Sequence, residues 1–106
     1  MNLDLTFSAL SDATRRAILE ELARGEQSVG ALAAPFEISG PAVSRHLRVL
    51  ESADLIVTRR AGKGRMCGLS PHPLAEARAW MDFQSRFWAG SLDRLEAFIA
   101  RDSERS

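Results

Sequence analysis

The sequence predicts a mainly α-helical fold with one small β-hairpin, and three observations support this class. Apolar residues recur at helical spacing along most of the chain. Residues 55–70 differ, because β-branched residues there precede a glycine-rich turn. With 106 residues and a hydrophobic fraction of 45%, the chain has the length and composition of one globular domain. We therefore expect a single domain over residues 1–106, built in the order of four helices, two strands and a fifth helix.

Composition argues against several other classes of protein. No apolar run approaches the roughly 20 residues of a membrane span, and the N-terminus lacks the pattern of a signal peptide. The single cysteine, Cys67, cannot form an internal disulfide. Two distant histidines and the absence of a glycine-rich phosphate loop leave no nucleophile–base pair and no nucleotide site. We expect a cytoplasmic protein that is not an enzyme and has no membrane partner.

The first three predicted helices are short and amphipathic. The first covers about residues 3–10. Ser11 offers an N-cap for the second, Asp12 suits the positive end of its dipole, and Gly25 ends it. Ser28 can cap the third, whose apolar residues at i, i+3, i+4 and i+7 are Val29, Leu32, Ala33 and Phe36. Each of these helices is expected to bury one face in a shared core.

The fourth helix, over about residues 41–53, has two different faces. It begins at S-G-P, where proline is tolerated at the first helical position. At about 100° per residue, Val43, Leu47 and Leu50 fall within one arc, which Asp54 continues. The opposite face is small and mostly positive, and consists of Pro41, Ser44, Arg45, Arg48 and Ser52. We expect the apolar arc to pack on the core and the polar face to point outward.

The outward face of this helix has the residues of a DNA-reading surface. Its small first residues allow a close approach, as in recognition helices whose N-terminal residues contact base edges in the major groove. Arginine binds guanine through two hydrogen bonds, and serine suits a base or a phosphate. A solvated helix back would be satisfied by the same residues, and a half-buried, hydrogen-bonded role is favoured for the histidine at the edge of the apolar arc. The predicted DNA contacts from this helix are Ser39, Gly40, Pro41, Ser44, Arg45, His46 and Arg48.

The hairpin over about residues 55–70 adds a basic tip directly after this helix. Its predicted DNA contacts are Arg59, Arg60, Lys63 and Arg65, around the G-K-G turn. Such a wing contacts phosphates and can insert an arginine into the minor groove, so binding should depend strongly on salt. Residues 40–65 hold six basic and two acidic residues, a net of +4, whereas the rest of the chain has a net of −4. The helix order followed by a basic hairpin predicts a winged helix-turn-helix that binds double-stranded DNA.

The last helix, over about residues 74–101, is too long and too apolar for its own domain. At 1.5 Å per residue it would extend about 40 Å, beyond the roughly 30 Å of a small domain. Its apolar arc spans roughly 140°, more than a surface helix needs. We infer a homodimer in which the first helix shares the interface; the alternatives are a helix that folds over its own domain or one that binds a ligand. The predicted interface residues are Leu5, Trp80, Phe87, Trp88, Leu92, Leu95 and Phe98.

Two long segments, the basic hairpin and the last helix resemble a known family. The segments are LSDATRRAILEEL (Leu10 to Leu22) and ISGPAVSRHLRVLESADLI (Ile38 to Ile56), and the last helix contributes its F-W pair. Over nearly its whole length the chain resembles the ArsR/SmtB family of winged-helix bacterial transcriptional regulators. The resemblance implies a dimeric repressor that binds an inverted-repeat operator near its own promoter and releases it when an effector arrives. It also implies groove contacts at the positions of Gly40, Pro41, Ser44 and Arg45.

The chain departs from the family in the residues that sense metals. Metal-sensing members carry a C-x-C pair in the third helix, where this chain has Ser28 and Gly30. Other members use Asp and His ligands on the last helix, whereas here His72 precedes the predicted helix and no histidine lies within it. The chain therefore resembles the metal-free branch, with no metal or cofactor expected and with release by a non-metal signal or a partner.

Cys67, on the second predicted strand, is the remaining candidate sensor. An exposed thiol of low pKa, near Arg65, could oxidise reversibly or bridge two subunits. A lone cysteine is also a common small packing residue.

The leading hypothesis is a dimeric, sequence-specific DNA-binding repressor. The alternative is a winged helix that serves as a protein-interaction module without specific DNA binding, in which case the basic face would be dispensable.

Overall fold

Eight helices and strands are formed by residues 2–105, the part of the chain described by the computed structural model. In chain order they are α1 (Leu3–Leu10), α2 (Ala13–Leu22), β1 (Gln27–Ser28), α3 (Val29–Ala33), α4 (Gly40–Ser52), β2 (Ile56–Ala61), β3 (Gly64–Leu69) and α5 (His72–Arg105). The predicted order of five helices and a hairpin is confirmed, and the mainly helical fold with it. Within the same residues, none of the helices combines the length and the hydropathy that a membrane span requires.

Polar side chains set where the first helices begin. Asn2 accepts hydrogen bonds from two backbone N–H groups in the first turn of α1. Ser28 caps α3, as predicted, by accepting from the N–H of Ala31 at 3.1 Å. Ser39 caps α4 in the same way, by accepting from the N–H of Ala42 at 3.2 Å. These bonds satisfy N–H groups that have no partner inside the helix, which fixes the direction in which each helix leaves its loop.

The N-cap of α2 is Asp12, and the assignment of this role to Ser11 was wrong. Asp12 has an extended backbone, and its Oδ2 accepts from the N–H of Arg15 at 3.0 Å. Ser11 keeps helical dihedrals and closes α1, with its hydroxyl donating to the carbonyl of Ser8 at 2.6 Å. The two helices are therefore joined without a linker, because the residue that ends one directly precedes the cap of the other.

The end of α4 differs from the sequence-based expectation. Asp54 does not continue the apolar arc: its φ of 58° lies in the left-handed region and its side chain is exposed, because the helix has already ended at Ser52. The N–H of Leu55 donates to the carbonyl of Leu50 at 3.0 Å, which satisfies one of the last carbonyls of the helix. This reversal turns Leu55 and Ile56 into the core, where both are buried.

The hairpin is part of a three-stranded antiparallel sheet with the order β1-β3-β2. β2 and β3 pair up to Ala61 opposite Gly64, so only Gly62 and Lys63 form the turn. Gly62 adopts a φ of 59°, which glycine tolerates and which tight hairpin turns require. β1, residues 27–28, was not predicted from the sequence and pairs with the other edge of β3. The wing is thereby anchored on both sides of its central strand.

The core lies between the helices α2, α3 and α4 and the inner face of the sheet. Val43, Leu47 and Leu50, predicted to anchor α4, are buried with at most 6% of their surface exposed. Ile18 of α2 and Leu32 of α3 are fully buried in the same cluster. Burial of an aliphatic side chain of this size contributes about 1.5–3 kcal/mol. This packing holds the outward face of α4 in a fixed orientation relative to the wing.

Helix α5 is much longer than the body that supports it. Its 34 residues extend about 51 Å at 1.5 Å per residue. It begins at His72, whereas the sequence predicts that His72 precedes the helix. Near its start Ala77 is buried, and Trp80 packs edge-on against Phe7 of α1 with ring centroids 5.6 Å apart. The radius of gyration is 19.9 Å, against about 13 Å for a compact chain of this length. The helix therefore projects from the body and does not fold back over its own domain.

The outer part of α5, residues 81–105, leaves its apolar side chains uncovered. Between 47% and 65% of the surface of each is exposed in Met81, Phe83, Phe87, Trp88, Leu92, Leu95, Phe98 and Ile99. Single exposed apolar residues are ordinary, but a series of large ones along one helix is typical of an interaction surface.

Candidate nucleic-acid interface

The outward face of α4 is small at its start and cationic further along. Gly40 and Pro41 are exposed in the first turn, and no atom lies within 4 Å of where a Cβ of Gly40 would be. Arg45 and Arg48 are exposed, and no hydrogen bond or ion pair engages either guanidinium within residues 2–105. Ser44, directly before Arg45, is half-buried. The face offers an open backbone and two cations that are free to bind an anionic partner.

His46 lies between α4 and α2 instead of on that outward face. It is half-buried, with Nδ1 at 3.4 Å from Nη1 of Arg15 and at 3.7 Å from Oδ2 of Asp12. A single ring nitrogen cannot accept from Arg15 and donate to Asp12 at the same time, so Nδ1 faces the arginine as an acceptor when it carries no hydrogen and the carboxylate as a donor when it does. This is the hydrogen-bonded position favoured for His46 from the sequence, and it does not favour the direct DNA contact also proposed for this residue.

Arg15 and Arg16 tie α1 to the helix-turn-helix, and their role was not predicted. Arg15 donates from Nε to the carbonyl of Ala9 at 2.7 Å and from Nη2 to that of Ser8 at 3.0 Å. Arg16 donates from Nη1 to the carbonyl of Leu10 at 2.7 Å. These carbonyls lie in the last turn of α1, where the helix itself offers no further N–H groups, and that of Ser8 also accepts from Ser11. The available signal was the D-x-T-R-R sequence directly after a helix, because basic side chains placed there can satisfy the last carbonyls.

Asp12 completes this junction between α1, α2 and α4. The N–H of Arg15 holds the pKa of Asp12 below its usual value of 3.8, helped by the charges of His46 and Arg15 and opposed by partial desolvation. The carboxylate is therefore the stable form of Asp12 in the folded protein. It caps α2 and faces His46 of α4, so that one side chain interacts with both helices.

The wing cations fall into two groups. Arg59 pairs with Glu26, Nη2 to Oε1 at 2.7 Å, and Arg65 donates from Nη2 to the Thr58 hydroxyl at 2.8 Å. Arg60 and Lys63 have no such partner within residues 2–105. Arg60 stands directly opposite Arg65 across the hairpin, and like charges in that position repel. A bound anion between them would relieve this repulsion.

A groove of about 210 Å³ separates the outward face of α4 from the wing. It is lined by Val29, Ser44, Leu47, Arg48, Glu51, Thr58 and Arg65. Across it, the Thr58 hydroxyl donates to Oε1 of Glu51 at 3.3 Å while accepting from Arg65. This chain of hydrogen bonds connects the last turn of α4 to both wing strands. Four wing residues, Arg59, Arg60, Lys63 and Arg65, also line a second, open cleft beyond the groove.

Cys67 is a core residue. It has no exposed surface and lies on the central strand between Gln27 and Thr58. Burial raises the pKa of the Cys67 thiol, and the charge of Arg65 offsets only part of this effect. The exposed, acidic thiol that an oxidation sensor requires is therefore not what this position provides. Within residues 2–105, no three potential metal-ligating side chains of His, Cys, Asp or Glu form a group.

Comparison with known proteins places the chain among transcriptional regulators. Residues 10–59 match a family model described as a helix-turn-helix domain. The HTH-type transcriptional regulator Rv2034 of Mycobacterium tuberculosis is 47% identical over 101 residues, which cover 95% of this chain and 90% of the relative. The solved structure of an ArsR family transcriptional regulator, RHA00566, is 37% identical and has a TM-score of 0.78 over 82% of this chain and 96% of that one. The chain belongs to the ArsR family.

Membership of the ArsR family confirms the resemblance predicted from the sequence. Another relative, the transcriptional repressor SdpR of Bacillus subtilis, is 39% identical over 75 residues, 71% of this chain and 83% of the repressor. This ArsR-family chain is accordingly a DNA-binding transcriptional regulator with a winged helix-turn-helix fold, and not an enzyme.

Proposed function

We propose that this ArsR-family protein is a dimeric repressor that binds an inverted-repeat operator through α4 and the wing. The observation that carries the proposal is the set of unpaired cations on the outward face of α4 and on the wing. Arg45 and Arg48 of α4 are exposed and unengaged within residues 2–105, as are Arg60 and Lys63 of the wing. Cations without a protein partner are suited to the phosphates of DNA, which neutralise them and release counterions.

The two elements are assigned different contacts. Arg45 lies within the first two turns of α4, where recognition helices touch base edges, and we assign it a bidentate contact to guanine. Ser39, Gly40 and Pro41 permit the close approach, and Ser44 contacts a base or a phosphate. Arg48 and the wing residues Arg60, Lys63 and Arg65 contact phosphates, which position the protein but do not specify a sequence.

The uncovered outer part of α5 supports the dimer. Leu5 of α1 is 47% exposed, and the interface residues proposed on α5 from Phe87 to Phe98 are between 53% and 65% exposed. Trp80 is 45% exposed and already packs on Phe7 of its own chain, so it contributes one side of its ring. Two-fold pairing of these faces would bury them and present two α4 helices to the DNA. Two α4 helices related by two-fold symmetry require an operator with inverted half-sites.

The release signal in this proposal is not a metal ion. Ser28 and Gly30 stand where a thiolate pair would be needed, and serine and glycine side chains do not bind soft or borderline ions as thiolates do. Addition of zinc to the protein–operator complex should leave the Kd unchanged within a factor of two. A tenfold loss of affinity that a chelator reverses would contradict this part of the proposal.

Selection of bound duplexes from a random pool tests the proposed function, and two single variants locate its chemistry. Arg45→Ala should cost about 1–3 kcal/mol on the selected operator and relax the preference at one position per half-site. Lys63→Ala, also a loss of one exposed cation, should weaken all duplexes alike and reduce the salt slope by about 1. Equal and sequence-blind losses for both variants would remove the base contact assigned to Arg45.

The same selection separates the repressor from a protein-interaction module. A repressor enriches a consensus with two inverted half-sites. If no sequence is enriched and every duplex binds equally at a fixed salt concentration, the protein is not a sequence-specific repressor.

A further inference from the structure

The ion pair between Arg59 and Glu26 differs from the other Arg and Lys pairs of the chain. Those in residues 2–105 besides it, Arg24–Glu21 and Arg78–Asp82, join residues three or four positions apart. Arg59 and Glu26 instead belong to different elements, and their atoms are closer, at 2.7 Å. The pair therefore depends on the tertiary fold and not on helical spacing.

The sheet places Glu26 and Arg59 on opposite sides of its central strand, β3. Glu26 directly precedes β1, and the register of β1 with β3 puts it level with Gly68, which in turn pairs with Val57 of β2. A Cβ at Gly68 would lie 3.9 Å from Cγ of Glu26 and 3.8 Å from Cγ2 of Val57, so both side chains lie close over the glycine. With no side chain between them, the carboxylate of Glu26 passes over β3 and reaches Arg59.

Arg59 nevertheless contributes to the basic surface of the wing. It lines the open cleft together with Arg60, Lys63 and Arg65. Its side chain is 63% exposed and that of Glu26 is 41% exposed. An ion pair this exposed is weak and screened by salt, so an incoming phosphate can displace the carboxylate.

We propose that Glu26 is an intramolecular competitor of DNA phosphate for Arg59 and so lowers the sequence-independent affinity of the protein for duplex DNA. The inference rests on the proposed DNA-binding function and identifies a residue outside the DNA-facing elements that tunes it. In the free protein the carboxylate occupies the guanidinium, and a phosphate must replace it to gain that contact. Nonspecific binding comes almost entirely from phosphate contacts, so withholding one weakens it directly.

The test compares Glu26→Gln with Glu20→Gln in binding to a random-sequence duplex over a range of salt concentrations. Glutamine keeps the size of the side chain and removes its charge. Glu26→Gln should tighten nonspecific binding about two- to five-fold at low salt, the factor corresponding to a surface ion pair. It should also steepen the slope of log K against log salt, by at most about 0.9, the value for one full added phosphate contact. Glu20 is an exposed residue of α2 that belongs to none of the ion pairs within residues 2–105. Glu20→Gln therefore removes the same charge without releasing an arginine and should leave the slope unchanged.

Arg59→Gln in the Glu26→Gln background completes the test. It should abolish the gain, whereas Arg59→Gln alone should change binding much less, because Glu26 already occupies Arg59 in the parent protein. The inference is overturned if Glu26→Gln behaves like Glu20→Gln, if the gain survives loss of Arg59, or if Glu26→Gln weakens binding because the pair holds the wing in place. A parent protein with no salt-dependent binding to any duplex would instead remove the proposed function itself.

Discussion

Leu50 and Trp88 are both large apolar residues on helices, yet Leu50 is fully buried and Trp88 is 58% exposed. Leu50 belongs to the winged-helix body, residues 3–80, where four helices and a sheet surround one core. Trp88 belongs to the outer part of α5, whose large apolar side chains are each between 47% and 65% exposed. The two regions have similar apolar side chains but different surroundings.

This difference shows which region the chain can stabilise alone. Side chains of the body gain stability from packing within one copy, whereas a helix without a packed face is only marginally stable in water. The outer part of α5 carries the apolar surface of a core but lacks the other half of that core. In the proposed dimer a second copy of the chain would supply it, and the stability of this helix would then depend on dimerisation.

Leu50→Ala should give the largest loss of stability, because it opens a cavity in the body. The free energy of unfolding should fall by about 2–5 kcal/mol, as measured by urea denaturation. Since the cavity lies inside one copy, the loss should not depend on protein concentration. A change below 1 kcal/mol would show that the core around α4 can collapse onto the missing side chain.

Trp88→Glu should affect the other region. A charge in the centre of a buried apolar interface should cost roughly 2–4 kcal/mol of association, the magnitude of an interface hot spot, and sedimentation should show a monomer. Glu96, already acidic and on the polar side of α5, provides a control: Glu96→Gln should leave the association state unchanged. A dimer of unchanged affinity for Trp88→Glu would contradict the proposed interface.

Asp12→Ala should give a smaller effect, at the junction that holds α1 and α4 to α2. It removes the N-cap of α2, whereas Asp12→Asn retains a capping oxygen without the charge, so the Tm should fall further for the alanine variant. Because the pKa of Asp12 is lowered in the folded state, its charge stabilises the fold above about pH 4, and this contribution is lost as the pH falls below 3.8. The difference in Tm between the parent protein and Asp12→Asn should therefore shrink on acidification. A difference that grows below pH 4 would have the wrong sign.

The elements and the outward face of α4 could be predicted because their signals are local. Val43, Leu47 and Leu50 share a helical arc, Ser28 and Ser39 precede helices, and the G-K-G turn separates two strands; each pattern needs only neighbouring residues. Serine and aspartate are both preferred N-cap residues, so residue type alone could not decide between Ser11 and Asp12, and the prediction of Ser11 was wrong. The backbone dihedrals that decide between them depend on where α1 ends.

The features that the sequence did not reveal depend on contacts between distant residues. β1 contains only two residues, and its strand character comes from pairing with β3. From the sequence, Arg59 is indistinguishable from the unpaired cations of the wing. Its partner Glu26 lies far away in the sequence, and the two side chains meet only across Gly68. Burial of Cys67 likewise follows from its central position in a sheet that has a third strand.

The stoichiometry of the protein on its selected operator tests the relation between the two regions most directly. If the body reads a half-site and the outer part of α5 joins two copies, the parent protein should bind a duplex with two inverted half-sites as two chains. Trp88→Glu should then bind the same duplex one chain at a time and with much weaker affinity. Sedimentation of the labelled duplex would show both outcomes. A single parent chain bound per operator, or equal binding by the parent and Trp88→Glu, would contradict the account.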